Sequence, residues 1–358
     1  MESNKHTFQW LNFIDRPAFC VKDGKIVATN AAAEERMFYT GMSVNEFITQ
    51  NLRLYESFEN GTLYCTVTAG DTVWNTGVTR TDDYDIFIVE TDADDEHLQT
   101  LALAAKQLRL PLSNIMTTTD DLLSQLNEID PEAKHTAGQI NNGLFQLLRI
   151  VSNMTDARNY KNKPISEFET VNLTAVINEI IEKASVLTEQ SGISISYTAP
   201  DEPIFGLFHA ESLERAIYNL LSNALKFAKV STTVDIKLVR NGNIASFSVC
   251  NINDESYDER NIWTRYRRIP SLEDSRHGLG LGMTMIASAA SVHGGAVLID
   301  HPTPTATRFT ITMEIKATGN PGTVHSPIFR ISDYAGGHDK ALLEFVELLS
   351  SDHYEDIN

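Results

Sequence analysis

Cysteine is scarce in this chain, which has three among its 358 residues: Cys20, Cys65 and Cys250. Three thiols so far apart exclude a disulfide framework and a CxxC metal site. We therefore expect all three to be buried thiols in a reducing compartment. The N-terminus, MESNKHTFQW, lacks the apolar segment of a secretory signal, so a cytoplasmic location is expected.

Long hydrophobic runs and excess basic charge are lacking as well. No stretch of about 18 apolar residues occurs, so no membrane-spanning helix is predicted. Lys and Arg number 29 against 48 Asp and Glu, which gives a formal net charge of −19. This charge argues against a large nucleic-acid surface, because phosphate contacts need clustered Lys and Arg. The apolar share of 42% is ample for hydrophobic cores, and the length predicts about two to three domains.

Residues 1–92 are predicted to form a small α+β domain. Two short apolar runs flank Asp23-Gly24, which is a signal for a two-residue hairpin turn. Alternating apolar residues then predict three strands, at 62–68, 71–79 and 85–91. Together these make one sheet with a helical cover. No cofactor is predicted here, because the single histidine, His6, lies too near the terminus to be a convincing haem ligand.

Residues 93–162 change to a helical pattern that predicts two long helices joined by a turn. Pro111 lies inside the first helix, and Pro131 suits the first turn of the second. One hairpin cannot bury two apolar seams alone, so we predict a four-helix bundle formed by homodimerisation; packing onto its own chain is the alternative. The seams recur at spacings of four and three, at Leu101, Ala105, Leu108, Leu112, Ile115, Thr119, Leu122 and Leu126, then at Ile140, Leu144, Leu147, Val151 and Met154.

Residues 163–317 alternate between helices and strands, and they hold the densest chemical signal. Asn219, Asn223 and Lys226 lie on one side of a predicted helix. Two amides and an ammonium on an apolar helix are costly unless they meet a polar partner. A magnesium–phosphate group would satisfy all three, because amide oxygens suit Mg²⁺ and lysine neutralises phosphate. A solvated helix face is the alternative.

A glycine-rich segment, from Gly278 to Gly282, precedes another predicted helix. Glycines before a helix N-terminus let backbone N–H groups approach a phosphate. The segment follows a polar loop, as this mechanism requires. Residues 318–358 are predicted to be an acidic C-terminal tail, in which LLEFVELL is a candidate for a short docking helix.

Three motifs, NLLSNALKF, IWTRYRRI and GLGLGM, resemble in order and spacing the N, F and G2 boxes of sensor histidine kinases. The hairpin resembles the dimerisation and phosphotransfer domain of that family, and the first segment resembles a PAS sensor domain. The resemblance implies a multidomain α+β protein of two-component signalling. Its parts are a PAS-like α/β sensor (1–92), a two-helix hairpin (93–162) that forms a four-helix bundle on dimerisation, and an α/β-sandwich ATP-binding domain of the gyrase/Hsp90/histidine-kinase type (163–317).

The resemblance also implies ATP or ADP with Mg²⁺ as ligand. Mg²⁺ would be coordinated by Asn219 and Asn223, and the lid over the nucleotide would be anchored by Ile262, Trp263 and Tyr266. Asn251 replaces an Asp that accepts a hydrogen bond from adenine, and its amide oxygen can accept that bond too. An empty site is the alternative, because Asn253 and Glu255 replace glycines of the G1 box. The implied cofactor-binding residues are Asn219, Asn223, Lys226, Asn251, Gly278, Leu279, Gly280 and Thr307.

The family's acceptor motif, His-Glu-Leu-Arg-Thr-Pro-Leu, appears here as KQLRLPL. Lys106 takes the place of the acceptor His, Gln107 that of the assisting Glu, and Leu110 that of a residue for phosphatase chemistry. A lysine amine is protonated near pH 7 and offers no lone pair, and an amide cannot act as the base. The three changes predict a pseudokinase that signals through dimer conformation and a partner, either a response regulator or a kinase.

Other functions remain open. An active histidine kinase would use His97 or His135 as acceptor, or act in trans on another protein. An Mg-dependent ATPase without phosphate relay is a further alternative, and a structural dimerisation module with an empty nucleotide site is the last. The sequence identifies neither the signal nor the partner.

Overall fold

The computed structural model describes residues 8–90, 92–126, 131–159, 167–254, 281–316 and 339–354. Among these residues, the strands are β1 (Ala18–Lys22), β2 (Lys25–Thr29), β3 (Thr62–Ala69), β4 (Thr72–Arg80), β5 (Asp85–Val89), β6 (Glu169–Asn172), β7 (Ser194–Thr198), β8 (Phe205–Phe208), β9 (Thr233–Asn241), β10 (Ile244–Ile252), β11 (Val297–Thr303) and β12 (Ala306–Glu314). The α-helices are α1 (Ala31–Glu35), α2 (Val44–Phe47), α3 (Leu52–Ser57), α4 (Asp92–Leu126), α5 (Pro131–Asn159), α6 (Leu173–Leu187), α7 (Ala210–Phe227), α8 (Leu281–Val292) and α9 (Lys340–Glu344).

The N-terminal strands pair in the order β2-β1-β5-β4-β3. The predicted hairpin turn is confirmed: Asp23 and Gly24 have φ values of 51° and 72°, the left-handed conformation of a primed turn. The three predicted strands are also present as β3, β4 and β5. Stacked phenylalanines fill the interior, with the rings of Phe19 and Phe87 4.8 Å apart. The assignment of this unit as a PAS-like sensor stays a prediction.

The thiols divide into two groups. Cys20 and Cys65 are buried, and burial raises the pKa of each to about 12. The expectation of a buried thiol is wrong for Cys250, which is half-buried on β10. Alternate residues of β10 point away from the core, and Cys250 lies on that outer face between buried Val249 and Asn251.

The two long helices predicted for the hairpin are α4 and α5, which pack against each other. Only alternate seam residues are buried in this chain, for example Ala105 and Leu112 on α4 and Val151 on α5. The residues between them remain about half exposed: Leu108, Ile115 and Leu122 on α4, then Ile140 and Leu147 on α5. Among the described helices, none has the length and apolar character needed to cross a membrane.

The C-terminal strands continue in the order β11-β12-β10-β9-β7, with β7 parallel to β9 and the others antiparallel. Helices α6, α7 and α8 bury their apolar faces in a core that includes Ile177, Leu221, Phe247 and Ile311. A small second sheet, β6-β8, was not predicted. Its strands have four residues each, too few to show a clear alternating pattern.

The two halves share one sheet, which the sequence did not predict. Strand β3 pairs antiparallel with β11, so that Leu63 lies opposite Leu298. Within the described residues, ten strands therefore form one continuous sheet. Gly61 permits the close approach, because it has a φ of 87° and a Cβ there would lie 1.9 Å from the Ile299 carbonyl oxygen.

Part of the predicted tail is docked on the protein. The predicted docking helix, residues 342–349, is present only in its first part, because α9 ends at Glu344. Residues 339–354 pack against α5, α6 and α7. Phe345 contacts Tyr218 with ring centroids 5.6 Å apart, and Tyr354 contacts Phe145 at 5.0 Å. This segment therefore joins the hydrophobic core.

Candidate nucleotide-binding site

Helix α7 carries three of the predicted site residues. It begins at a cap formed by His209, whose Nδ1 accepts a hydrogen bond from the Ser212 backbone N–H at 3.1 Å. Asn219 is buried, and its Nδ2 donates to the Arg215 carbonyl at 2.9 Å. Asn223 lies one turn further and is half-buried. Most of α7 is buried, from Ser212 to Leu225, so the Asn219 amide lies inside the domain and Asn223 lies at its margin.

The Asn219 amide oxygen faces the start of α8. A Cβ added at Gly282 would lie 3.0 Å from this oxygen, so the glycine leaves room for the amide. Because the Asn219 nitrogen already donates to its own helix, its oxygen is the atom left to accept or to coordinate. An amide oxygen is a ligand that suits Mg²⁺, a hard cation that prefers oxygen, so the Asn219 oxygen fits this ion.

A polar network occupies the ends of β10 and β12. Asn251 lies opposite Thr307 in the strand register and is buried. Its Nδ2 donates to Asn253 Oδ1 at 2.7 Å, and Asn253 Nδ2 donates to Thr307 Oγ1 at 2.8 Å. His301 Nδ1 lies 3.3 Å from that hydroxyl. The network orients the Asn251 amide so that its oxygen is the acceptor, which suits an exocyclic amine.

The helix and the network lie at the same end of the domain. The Lys229 backbone N–H, just after α7, donates to the Ile252 carbonyl at the end of β10, at 2.7 Å. This contact brings the end of α7 beside Asn251. The other predicted positions lie outside the described residues: Gly278, Leu279 and Gly280, with the lid positions Ile262, Trp263 and Tyr266.

Lys226 has a partner that the sequence did not reveal. Its Nζ lies 2.5 Å from Oε2 of Glu347, in the docked C-terminal segment. Arg149 of α5 also approaches this carboxylate, with Nη1 at 3.5 Å. The three residues are far apart in sequence, and no motif links them. Only the packing of α5, α7 and the C-terminal segment brings them together.

A second carboxylate lies deeper in the same cluster. Glu344 is fully buried, with Oε2 3.3 Å from Arg149 Nε and Oε1 3.6 Å from Arg215 Nη2. Nearby, Lys340 Nζ lies 2.5 Å from Oε2 of Glu214. Burial raises the pKa of Glu214, and the Lys340 ammonium opposes that rise. These paired charges link α5, α7 and the C-terminal segment.

The acceptor position is accessible on α4. Lys106, Gln107 and Leu110 are all exposed. Of the two alternative acceptors, His97 lies within α4, and His135 is exposed on α5 with Nδ1 3.7 Å from Asp352.

These features define a protein with an ATPase-type α/β domain joined to a helical hairpin. Residues 209–317 match the family described as "Histidine kinase-, DNA gyrase B-, and HSP90-like ATPase". Outside this domain the chain is similar to histidine kinases, which are signal transduction proteins. The predicted mixed α+β class, with an ATPase domain of this type, is therefore confirmed.

Two relatives of the chain are histidine kinases by name. The chain is 26% identical over 235 residues to hybrid signal transduction histidine kinase D of Dictyostelium discoideum, and 25% identical over 232 residues to sensor histidine kinase YcbM of Bacillus subtilis strain 168. The matches cover 63% and 58% of this chain, and 15% and 68% of those proteins. The chain thus spans only a small part of the first relative. A solved structure described as full-length ShkA in complex with AMPPNP is similar with a TM-score of 0.49 and 17% identity, covering 62% of this chain and 47% of that one.

Proposed function

We propose that this protein is a histidine-kinase-like pseudokinase. It forms a homodimer, binds ATP or ADP with Mg²⁺, and signals through dimer conformation to a response regulator or a partner kinase. The observation that carries this proposal is the exposed Lys106 at the acceptor position, in a chain whose ATPase-type domain keeps Asn219, Asn223 and Lys226 on one helix.

Nucleotide binding is the first part of the proposal. The Asn219 and Asn223 oxygens would hold Mg²⁺, which would neutralise phosphate charge, and Lys226 would add its ammonium. Asn251, oriented by Asn253, would accept a hydrogen bond from the adenine amino group. Among the described residues, no group of three His, Cys, Asp or Glu could hold a metal by itself. Mg²⁺ would therefore arrive with the phosphates and keep several waters.

Loss of phosphotransfer at the usual position is the second part. A histidine there would offer a free nitrogen lone pair near neutral pH. The Lys106 ammonium offers none, and the Gln107 amide next to it cannot remove its proton. The Lys106 side chain is exposed on α4, so burial does not favour the neutral amine.

Dimerisation is the third part. Leu108, Ile115 and Leu122 repeat every seven residues on α4 and stay about half exposed, as do Ile140 and Leu147 on α5. A second copy of the hairpin, packed on this stripe, would bury both sets of side chains in a four-helix bundle. Such burial contributes about 1.5–3 kcal/mol for each side chain that is fully covered.

Phosphate incorporation tests the proposal. The purified full chain is incubated with labelled Mg-ATP and analysed at neutral pH, because phosphohistidine is lost in acid. Nucleotide affinity is measured in parallel by calorimetry. We expect ATP binding without labelling in the natural protein, and labelling in the variant that carries both Lys106→His and Gln107→Glu.

The controls separate the alternatives. The variant with Lys106→Ala and Gln107→Glu has no acceptor and should stay unlabelled. Labelling of the natural protein would refute the pseudokinase proposal, and its loss in His97→Ala or His135→Ala would identify the acceptor. Absence of nucleotide binding in every variant would leave a structural dimerisation module.

A further inference from the structure

Residues 339–354, here called the C-terminal clasp, lie across the hairpin and the ATPase-type domain together. On the hairpin side, Asn141 Nδ2 donates to the Tyr354 carbonyl and Asn142 Nδ2 to the Leu349 carbonyl, both at 3.3 Å. On the domain side, Phe345 is buried against Tyr218 of α7. The clasp therefore holds α5 and α7 in one relative arrangement.

The two glutamates of the clasp differ in depth. Glu344 is fully buried between Arg149 and Arg215, so water cannot compensate for the loss of these partners. Glu347 is about a third exposed, and its carboxylate lies between Lys226 and Arg149. The Glu344 carboxylate therefore holds the segment in place. The Glu347 carboxylate can be replaced on its two cations by water or by another anion.

Lys226 and Arg149 together form an anion site. Two cations from different helices converge on one carboxylate oxygen, Glu347 Oε2, at 2.5 Å and 3.5 Å. A nucleotide phosphate carries more negative charge than a carboxylate and offers more acceptor oxygens, so it suits the same pair of cations. A phosphate placed on Lys226 would stand beside the Glu347 carboxylate, and the repulsion between the two anions favours displacement of the carboxylate.

We propose that the C-terminal clasp is an intramolecular competitor of nucleotide, in which Glu347 occupies the anion site of Lys226 and Arg149 until the phosphates of Mg-ATP displace it. This inference rests on the proposed contact between Lys226 and the phosphates. Displacement of Glu347 loosens the clasp and weakens its hold on α5. Nucleotide binding thereby changes the arrangement of hairpin and ATPase-type domain that a partner protein reads.

Glu347→Gln in the full chain tests this competition. The substitution keeps the shape of the side chain and removes its charge at a partly exposed position, so the fold is retained. We expect the variant to bind Mg-ATP at least about fivefold more tightly than the natural protein, measured by calorimetry. Asp352→Asn is the matched control, because it removes a carboxylate of the same segment that is 72% exposed and lies beside His135 rather than at the anion site. Its affinity should equal that of the natural protein.

Hydrogen exchange supplies the second readout. Amides of residues 339–354 should exchange faster in saturating Mg-ATP than without it. Equal affinities of the natural protein and Glu347→Gln, or unchanged exchange in the clasp, would overturn the competition and leave nucleotide binding intact. Binding by the Glu347→Gln variant alone would support both proposals. Absence of binding by either protein would refute the nucleotide function, and the competition with it.

Discussion

His293 is a buried histidine near the first residues of α7. Its Nε2 accepts a hydrogen bond from the His209 backbone N–H at 3.0 Å, and its Nδ1–H donates to the Ala289 carbonyl at 2.6 Å. These two bonds fix the neutral tautomer. Burial lowers the pKa of His293 to about 4, against the favourable effect of the Ala289 carbonyl. The residue thus helps to fix the helix that carries Asn219.

The lowered pKa of His293 predicts acid sensitivity. The unfolded chain binds a proton at this histidine below about pH 6.5, whereas the folded protein does so only near pH 4, so stability is lost as the pH falls between these values. We expect a loss on the order of 3 kcal/mol in the free energy of unfolding, measured by urea titration from pH 7.5 to 4. His293→Gln should be less stable at pH 7.5 but should lose less on acidification. Parallel pH profiles of the two proteins would contradict this account.

On helices α4 and α5, half of the residues in each apolar repeat are exposed. Each helix has one apolar repeat with two sets of positions. One set is buried within the chain and includes Ala105, Leu112 and Val151. The other set forms a continuous stripe, which includes Leu108 and Ile115. A single pair of helices cannot bury both sets, because each helix presents only one face to its neighbour.

Ile115→Asp tests the stripe. In a dimeric bundle each copy would place one carboxylate in the middle of the interface, where it loses its hydration. The dimer dissociation constant should therefore rise at least about 100-fold. Light scattering coupled to gel filtration reports the mass. Leu110→Asp introduces the same charge on α4 at a position outside the seam, 70% exposed, and should remain dimeric. A dimeric Ile115→Asp protein would show that the hairpin is not the interface.

The continuous sheet links the two halves of the molecule. The β3–β11 pairing is supported by two side chains, since Asn51 Nδ2 donates to the Gly295 carbonyl and Asn60 Oδ1 accepts from the His301 N–H. Thr307, in the polar network of the candidate site, lies 3.3 Å from the His301 ring. The N-terminal unit therefore reaches the edge of the candidate nucleotide site through the β3–β11 pairing and the Asn60–His301 hydrogen bond.

Gly61→Ala tests this joint between the halves. The new Cβ would overlap the Ile299 carbonyl oxygen, so β3 and β11 must separate. We expect amide hydrogen exchange in β11 to rise about tenfold or more, while β9 and β10 keep their protection. Gly41→Ala is the control, because Gly41 also has a positive φ, 98°, but a Cβ there meets no atom within 4 Å. Equal exchange in the two variants would show that the pairing does not depend on this contact.

Local patterns predicted most of the elements. The alternation in β3 to β5, the heptads of α4 and α5, and the turn at Asp23-Gly24 each depend on neighbouring residues, and the structure confirms all three. The four-residue strands β6 and β8 were missed because they are too short for a periodic signal. The motifs predicted the site residues that lie within them. The hydrogen bonds that join Asn253 and His301 to Thr307 became visible only in the structure, because they connect residues of different strands.

The sequence by itself determined the class of the protein, its amide-bearing helix and the change at Lys106, because each is written in a short run of residues. Tertiary structure decided which strands meet at β3 and β11, and which carboxylate takes Lys226. Lys226 and Glu347 are 121 residues apart, and their contact depends on how whole elements pack. Such pairings are set by the burial of Phe345, Tyr354 and their neighbours across distant segments, and no local pattern encodes them.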